Sequence, residues 1–337
     1  MRRRTLLTGT AATAAAAANL LPSGGFAQPK TQTVNMQLGW LASNNNIGEV
    51  VAKQLGYFEE EKLNVVIQPG GPSIDGVAIV ASGRCEVGQV SSSPSLMLAA
   101  SQKIPVKCFA TGLQQHPYTF FSLEKKPIRT AKDMVGKKIG IQATGKILLS
   151  ALLKKHSIPE KDVEVVVIGS DFAPLLTGQS DAVTGWLTST TAIKALGQPP
   201  VTLRLWDAGV QLYALPLYAT KDTIEKKPAM VAGFLKGIAR GYAYAQKEPD
   251  KAADLLVKEY PNFKRDDELD GLKVLLSFAF NANTKANGWG AFHPKVWQDQ
   301  ITLYDELKQF TAGAPKLDDV ITTSILDATK DTRPKIG

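Results

Sequence analysis

From residue 33 to residue 220, short runs rich in branched apolar residues alternate with helical stretches, and most runs stop in a polar loop. "VNMQLGW" ends at Trp40 before "LASNNN", and "NVVIQ" ends at "PGGP". "CEVGQV" ends at "SSSPS", "VKCFATG" leads into "QQHPY", "KKIGIQ" stops at "ATGK", and "DAVTGW" runs into "LTSTT". Strands that alternate with helices pair in parallel through helical crossovers, so the pattern predicts an α/β fold. "IGEVVAKQLGYFEEEKL" places Ile47, Val50, Val51 and Leu55 on one face and reads as a single helix. The strand–helix order restarts near residue 125, which predicts a second α/β set nested within the first. We expect one lobe from residues 28–124 plus 213–337, and another from residues 125–212. The last ~70 residues are expected to be mostly helical, and no tandem repeat is evident.

The N-terminus bounds where such a fold works. Arg2, Arg3 and Arg4 precede an uncharged, alanine-rich stretch from Thr5 to Leu21, and small residues stand at Gly25 and Ala27. This reads as an export signal over residues 1–27, cleaved after Ala27 and leaving the chain in the periplasm. Arg3-Arg4-Thr5-Leu6-Leu7 fits a twin-arginine signal and an ordinary one alike. No cysteine stands at the end of the signal, which argues against a lipid anchor. The chain has 39 Lys and Arg against 31 acids; without the three leader arginines its net charge is near +5. The remaining lysines are interspersed with acids, so no nucleic-acid footprint is present.

"GIQATGK" (140–146) has the G-x-x-x-x-G-K spacing of a phosphate-binding loop, but Ile147 stands where a Mg²⁺-holding Ser or Thr belongs. Outside the cytoplasm there is also no ATP, so an ATPase is excluded. The same residues suit a simpler role. Thr144, Gly145 and Lys146 offer backbone N–H groups, a helix dipole and one cation to a ligand oxygen; Lys146 pointing to solvent is the alternative. "VVVIG" is read as a buried parallel strand. Cys85 and Cys108 lie on or beside neighbouring expected strands, which leaves open a disulfide and a pair of buried thiols. Two cysteines and the dispersed His116, His156 and His293 make no metal site.

In open α/β sheets, ligands bind beyond the carboxyl ends of the strands. The candidate ligand residues are those of the loops there. Trp40 and Trp186 are read as opposite faces of an aromatic sandwich, with core packing as the alternative. Asn44 and Asn45 are donors and acceptors for a ring edge, or helix caps with Asn46. Gly71 lies in the "PGGP" loop. Ser91, Ser92 and Ser93 suit a carbonyl or anionic oxygen, or cap the helix that starts at Pro94. His116 and Tyr118 fall near the first lobe crossing, Thr188 follows Trp186, and Tyr213 lies near the return crossing. Asp181 is read as structural, and Trp289 and Trp297 as packing for the C-terminal helices. Nothing in the sequence sets a nucleophile beside a tuned acid–base pair, so no catalytic residue, metal or cofactor is expected.

Four stretches carry a family resemblance: residues 55–92 ("LGYFEEEKLNVVIQPGGPSIDGVAIVASGRCEVGQVSS"), "DMVGKKIGIQATGKILLSALLKK", "APLLTGQSDAVTGWLT" and "NGWGAFHPKVWQDQI". Together they resemble the SsuA/THI5-like (NMT1/THI5) periplasmic solute-binding proteins over nearly all of the mature chain. The resemblance implies a type II periplasmic-binding-protein fold, two α/β lobes hinged by two crossings, with a small-molecule ligand and an ABC transporter permease as partners. The chain is expected to act as a monomer. The "PGGP" and "GW" branch is similar to binders of thiamine pyrimidine precursors; other branches take sulfonates, taurine, nitrate, aromatic acids or flavins. The superfamily also contains the fungal thiamine pyrimidine synthase, an enzyme that consumes its own histidine and pyridoxal phosphate and uses an iron-dependent cysteine cluster. Here "SSSPS" has no histidine or lysine where that enzyme carries both, and no cysteine follows residue 108.

Overall fold

Ten strands form two five-stranded sheets in the computed structural model, which describes residues 31–337. The expected leader at residues 1–27 lies outside the described residues. The strands are β1 (Gln32–Gln37), β2 (Leu63–Gln68), β3 (Val87–Gln89), β4 (Val106–Leu113), β5 (Tyr118–Ser122), β6 (Lys138–Ile141), β7 (Glu164–Val167), β8 (Ala182–Trp186), β9 (Val201–Arg204) and β10 (Ala214–Thr220). The first sheet has the order β2-β1-β3-β10-β4 and the second β7-β6-β8-β5-β9. This is the two-sheet, mixed α/β architecture that the resemblance implies.

In the first sheet β1 runs parallel to β2 and β3, and the returning β10 is antiparallel to β3 and β4. In the second, β6 is parallel to β7 and β8, and β5 is antiparallel to β8 and β9. The chain therefore leaves the first sheet at the carboxyl end of β4 and returns to that same edge at Ala214. Between those points it enters and leaves the second sheet at the carboxyl edge of β6, β8 and β9. The crossings, residues 114–117 and 205–213, thus turn the two carboxyl edges toward each other. The first crossing comes earlier than the boundary expected after residue 124, because β5 hydrogen-bonds to β8 and β9 and so belongs to the second sheet.

The helices are α1 (Ile47–Gln54), α2 (Tyr57–Glu60), α3 (Gly76–Ala81), α4 (Pro94–Ser101), α5 (Lys146–Lys155), α6 (Ala173–Leu176), α7 (Thr190–Lys194), α8 (Lys221–Lys226), α9 (Pro228–Lys247), α10 (Pro249–Glu259), α11 (Arg265–Ala279), α12 (Ala282–Asn287), α13 (Pro294–Glu306), α14 (Leu317–Val320) and α15 (Ser324–Ala328). Pro94, Pro228, Pro249 and Pro294 open four of them, at the position where a missing N–H costs nothing. The single helix expected from Ile47 to Leu63 is two, because Gly56 takes φ 77° and ends α1 in a left-handed cap. No helix among the described residues is long and apolar enough to cross a membrane.

One large core joins both sheets and the C-terminal helices, and a smaller one around Phe121 and Phe172 fills the far side of the second sheet. Trp289 and Trp297 are buried in the large core, with Trp289 stacked on Tyr242 at 4.4 Å between centroids. Asp181 is structural: Lys126 and the Lys138 N–H both donate to its carboxylate. β7 is parallel but not buried as expected. It is an edge strand, and Val167 is 70% exposed. Cys85 and Cys108 are buried free thiols; β10 lies between β3 and β4 and keeps them apart.

Candidate functional site

The facing carboxyl edges gather most of the loop residues singled out above. On the first sheet β1 ends into Gly39, whose α-carbon abuts the Gln89 carbonyl and Val90 so closely that a Cβ would stand 2.6 Å from that oxygen. The contact fixes the exit of β1 against the exit of β3 and sets Trp40, 37% exposed, at the rim. Gly71 is buried beneath Leu41 and Ile74, which are both exposed.

Residues 44–46 form a tight helical turn capped by Ser43. The Asn45 N–H donates to Ser43 Oγ at 3.2 Å, and the Ser43 N–H donates to Asn46 Oδ1 at 3.3 Å. The Asn45 backbone is thus capped by Ser43, while its buried Oδ1 has no partner among the described residues. Behind the turn stand two buried polar residues that the sequence reading passed over. Asn46 Nδ2 donates to Gln89 Oε1 at 3.4 Å, and Gln89 Nε2 donates to Glu49 Oε1 at 3.0 Å. The available signal was an acidic residue, Glu49, between the apolar Ile47 and Val50. Burial pushes its carboxyl pKa up to about 7.

The first crossing carries His116, which is fully buried. The Tyr118 N–H donates to Nδ1 at 3.1 Å, and Nε2 lies 2.7 Å from Ser92 Oγ. Nδ1 is therefore the acceptor, the ring proton sits on Nε2, and Ser92 receives it while keeping its own hydrogen for another acceptor. Burial holds the imidazole pKa down to about 3, so the ring is neutral. Trp186 packs edge-on against His116 with centroids 5.0 Å apart, and Tyr118 does the same at 6.1 Å. Ser91 is half-buried, and its carbonyl accepts from the Leu215 N–H of β10.

On the second sheet the Tyr118 ring, buried with its pKa raised by desolvation, rests its hydroxyl against Gly145. A side chain at Gly145 would occupy the hydroxyl's place. Thr144 and Lys146 are exposed, and the N-terminus of α5 has no side-chain cap. The Gly145 N–H donates to the Gln142 carbonyl at 2.8 Å and the Lys146 N–H to the Ala143 carbonyl, so both are engaged within the 143–145 turn, a correction to the reading of Gly145 as an N–H donor to a ligand.

Four candidates are engaged by the protein itself. Ser93 is buried and its hydroxyl donates to Gln300 Oε1 at 2.6 Å, tying α4 to α13. Tyr213 is buried among Phe292 and Trp297, and its hydroxyl accepts from the His293 N–H at 2.8 Å. Both therefore pack the C-terminal helices, a correction to the ligand-contact reading. Asn44 and Thr188 are buried and meet over Gly271 of α11. A Cβ at Gly271 would collide with Asn44 Nδ2 and come within 2.7 Å of the Thr188 carbonyl. Around this point Thr190 Oγ1 donates to the Asp267 carbonyl, and Lys194 pairs with Asp270 at 2.6 Å. Asn44 and Thr188 are thus a seam between the lobes rather than a free ligand surface.

A sequence model described as NMT1/THI5-like matches residues 43–252, more than half of the chain. The chain belongs to the NMT1/THI5-like family. Among its relatives is the formylaminopyrimidine-binding protein of Halalkalibacterium halodurans, 25% identical over 81% of this chain and 85% of that one. The 4-amino-5-hydroxymethyl-2-methylpyrimidine phosphate synthase of Legionella pneumophila is 26% identical over 68% of this NMT1/THI5-like chain and 75% of its own. In structure the chain is similar to the periplasmic aliphatic sulphonate binding protein SsuA of Escherichia coli, with a TM-score of 0.65 at 16% identity, covering 88% of this chain and 99% of that one. That likeness establishes the fold; the pyrimidine-binding relative supports a solute-binding role for this NMT1/THI5-like chain.

Proposed function

We propose that this chain is the periplasmic solute-binding component of an ABC importer, closing its two lobes on a small flat heteroaromatic of the thiamine-pyrimidine-precursor class. The observation that carries the reading is the neutral, immobilised His116, with Ser92 as a half-open polar group and the Trp186 and Tyr118 rings edge-on around it. Uncharged rings and hydroxyls recognise a neutral ring by stacking and by hydrogen bonds to its edge. Trp40, Asn45, Gly71, Ser91, Thr144 and Gly145 complete the proposed pocket. Lys146 is its one cation. An aliphatic sulfonate or carboxylate would call for more positive charge than that. Binding shifts an open–closed equilibrium, and the closed form is the one a permease engages.

The relatives named as pyrimidine phosphate synthases favour a second reading, turnover. A histidine held at about 3 is a poor general base at neutral pH, which supports binding instead. A tryptophan-fluorescence titration of ligand-stripped protein decides between them. Saturable quenching by 4-amino-5-hydroxymethyl-2-methylpyrimidine, weakened in Trp40→Ala and Trp186→Ala, is expected. A response to taurine alone would remove the aromatic ligand, and tight pyridoxal phosphate binding or iron-dependent product formation would establish the enzyme.

A further inference from the structure

Glu49 is an unusual residue to find in a core. It is 1% exposed on α1, and among the described residues no lysine, arginine or histidine pairs with it. The titratable groups that bear on it are two phenols, Tyr242 on α9 and Tyr260 just beyond α10. The Lys53–Glu259 pair sits one turn further along α1 and engages itself. A buried carboxyl with no counter-ion is costly, and the cost is not offset by packing. A leucine there would continue the apolar face of Ile47, Val50 and Val51.

What the carboxyl does is orient an amide. Oε1 accepts from Gln89 Nε2, which leaves Gln89 Oε1 as the acceptor for Asn46 Nδ2. Asn46 Oδ1 in turn accepts from the Ser43 N–H. Each amide has a donor end and an acceptor end, so the direction of the whole chain is fixed from Glu49 outward. Its far end is the cap of the 44–46 turn, three residues from Trp40. The Oε2 atom has no partner among the described residues, so a proton gained by Glu49 has no acceptor there and weakens the acceptance at Oε1.

We propose that Glu49 is a positioning residue for ligand binding, holding the rim loop Ser43–Asn46 in its binding geometry through Gln89 and Asn46, and that its protonation makes that geometry pH-sensitive. The binding part rests on the pocket reading above; the loop part does not. The conservative variant separates shape from charge. Glu49→Gln keeps an acceptor for Gln89 but cannot titrate, whereas Glu49→Leu keeps the volume and removes the acceptor.

The test uses the exported protein, and both variants, from pH 5.5 to 8.5. Hydrogen exchange at the Ser43 and Asn45 amides reads the loop without ligand, and titration with 4-amino-5-hydroxymethyl-2-methylpyrimidine reads binding. We expect Glu49→Leu to exchange at least tenfold faster at Ser43 and to bind about tenfold more weakly, while still melting cooperatively. Glu49→Gln should match the parent within about threefold near pH 8 and lose the parent's pH dependence around pH 7. Unchanged exchange in Glu49→Leu, or a Glu49→Gln profile that follows the parent's, overturns the proposal. If the exchange effects appear but no pyrimidine binds the parent protein, the loop assignment stands and the ligand assignment fails.

Discussion

The two lobes present different kinds of loop to the space between them. On the first sheet, the segment from Trp40 to Asn46 is clamped by Gly39 on Gln89, by the Ser43 cap and by a buried line of polar contacts back to Glu49. On the second, residues 143–146 have an exposed Thr144 and Lys146 and an uncapped helix start. The first wall is tied from behind by side chains; the second is tied by its own backbone turn and leaves the Thr144 and Lys146 side chains exposed. A binding protein gains from such a division. A rigid wall selects the ligand at little entropic cost, and an adaptable one completes the closure.

The sharpest way to probe the rigid wall is pH. Folded Glu49 keeps its proton up to about pH 7, whereas the ordinary carboxyl releases it near 4.5. Between those values the native state binds more protons than the unfolded one, so stability falls as pH rises through that window and is flat above it. Glu49→Gln abolishes this slope. In denaturant titrations the variant should gain on the parent between pH 4.5 and pH 8 by up to about 3 kcal/mol. An identical pH dependence in both proteins would mean that Glu49 is solvated in solution.

The seam between the walls comes next. Gly271→Val places branched carbons where Asn44 Nδ2 and the Thr188 carbonyl sit, so the lobes are held apart. Ligand affinity should fall about 100-fold with little change in the cleft residues themselves, read by calorimetry. Small-angle scattering should show a more open particle with and without ligand; full compaction on ligand addition would place the seam elsewhere. Trp186→Ala removes the ring packed against His116 and should cost about tenfold in affinity, with a smaller loss for the half-exposed Trp40→Ala. Equal tolerance of both changes would argue against a stacked ligand. The smallest effect belongs to the adaptable wall. Lys146→Ala should weaken a neutral pyrimidine by less than about threefold, while a phosphorylated one should lose more. A large loss for the neutral ligand would reverse the contrast between the lobes.

Much of this was legible in the chain, for reasons that differ by residue. The ten strands follow from period-two and all-apolar runs bounded by turn residues, which is local information. The aromatic and serine loops stood out because they interrupt those runs. What the sequence concealed was the partner of each polar group. Ser93 and Tyr213 look like ligand contacts until Gln300 and the His293 amide, far along the chain, are seen to engage them. Glu49 is the converse. Its acceptor role depends on Gln89, forty residues away, and no periodicity announces that pair. The exposure of β7 was hidden because a parallel edge strand and a buried one share the same Val-rich composition.

The crossings themselves are unequal. One is four residues long and pins His116 on both ring nitrogens; the other runs over nine, with His156 bonded to the Ala208 carbonyl. A body turning about a pin moves far at its tip and hardly at all at the pin. His116 and Ser92 sit beside the shorter link, so in the proposed closure their lever arm is small and their spacing would survive a swing that separates Asn44 from Thr188. A ligand first touching them would meet the same two atoms whether the jaws stand apart or together.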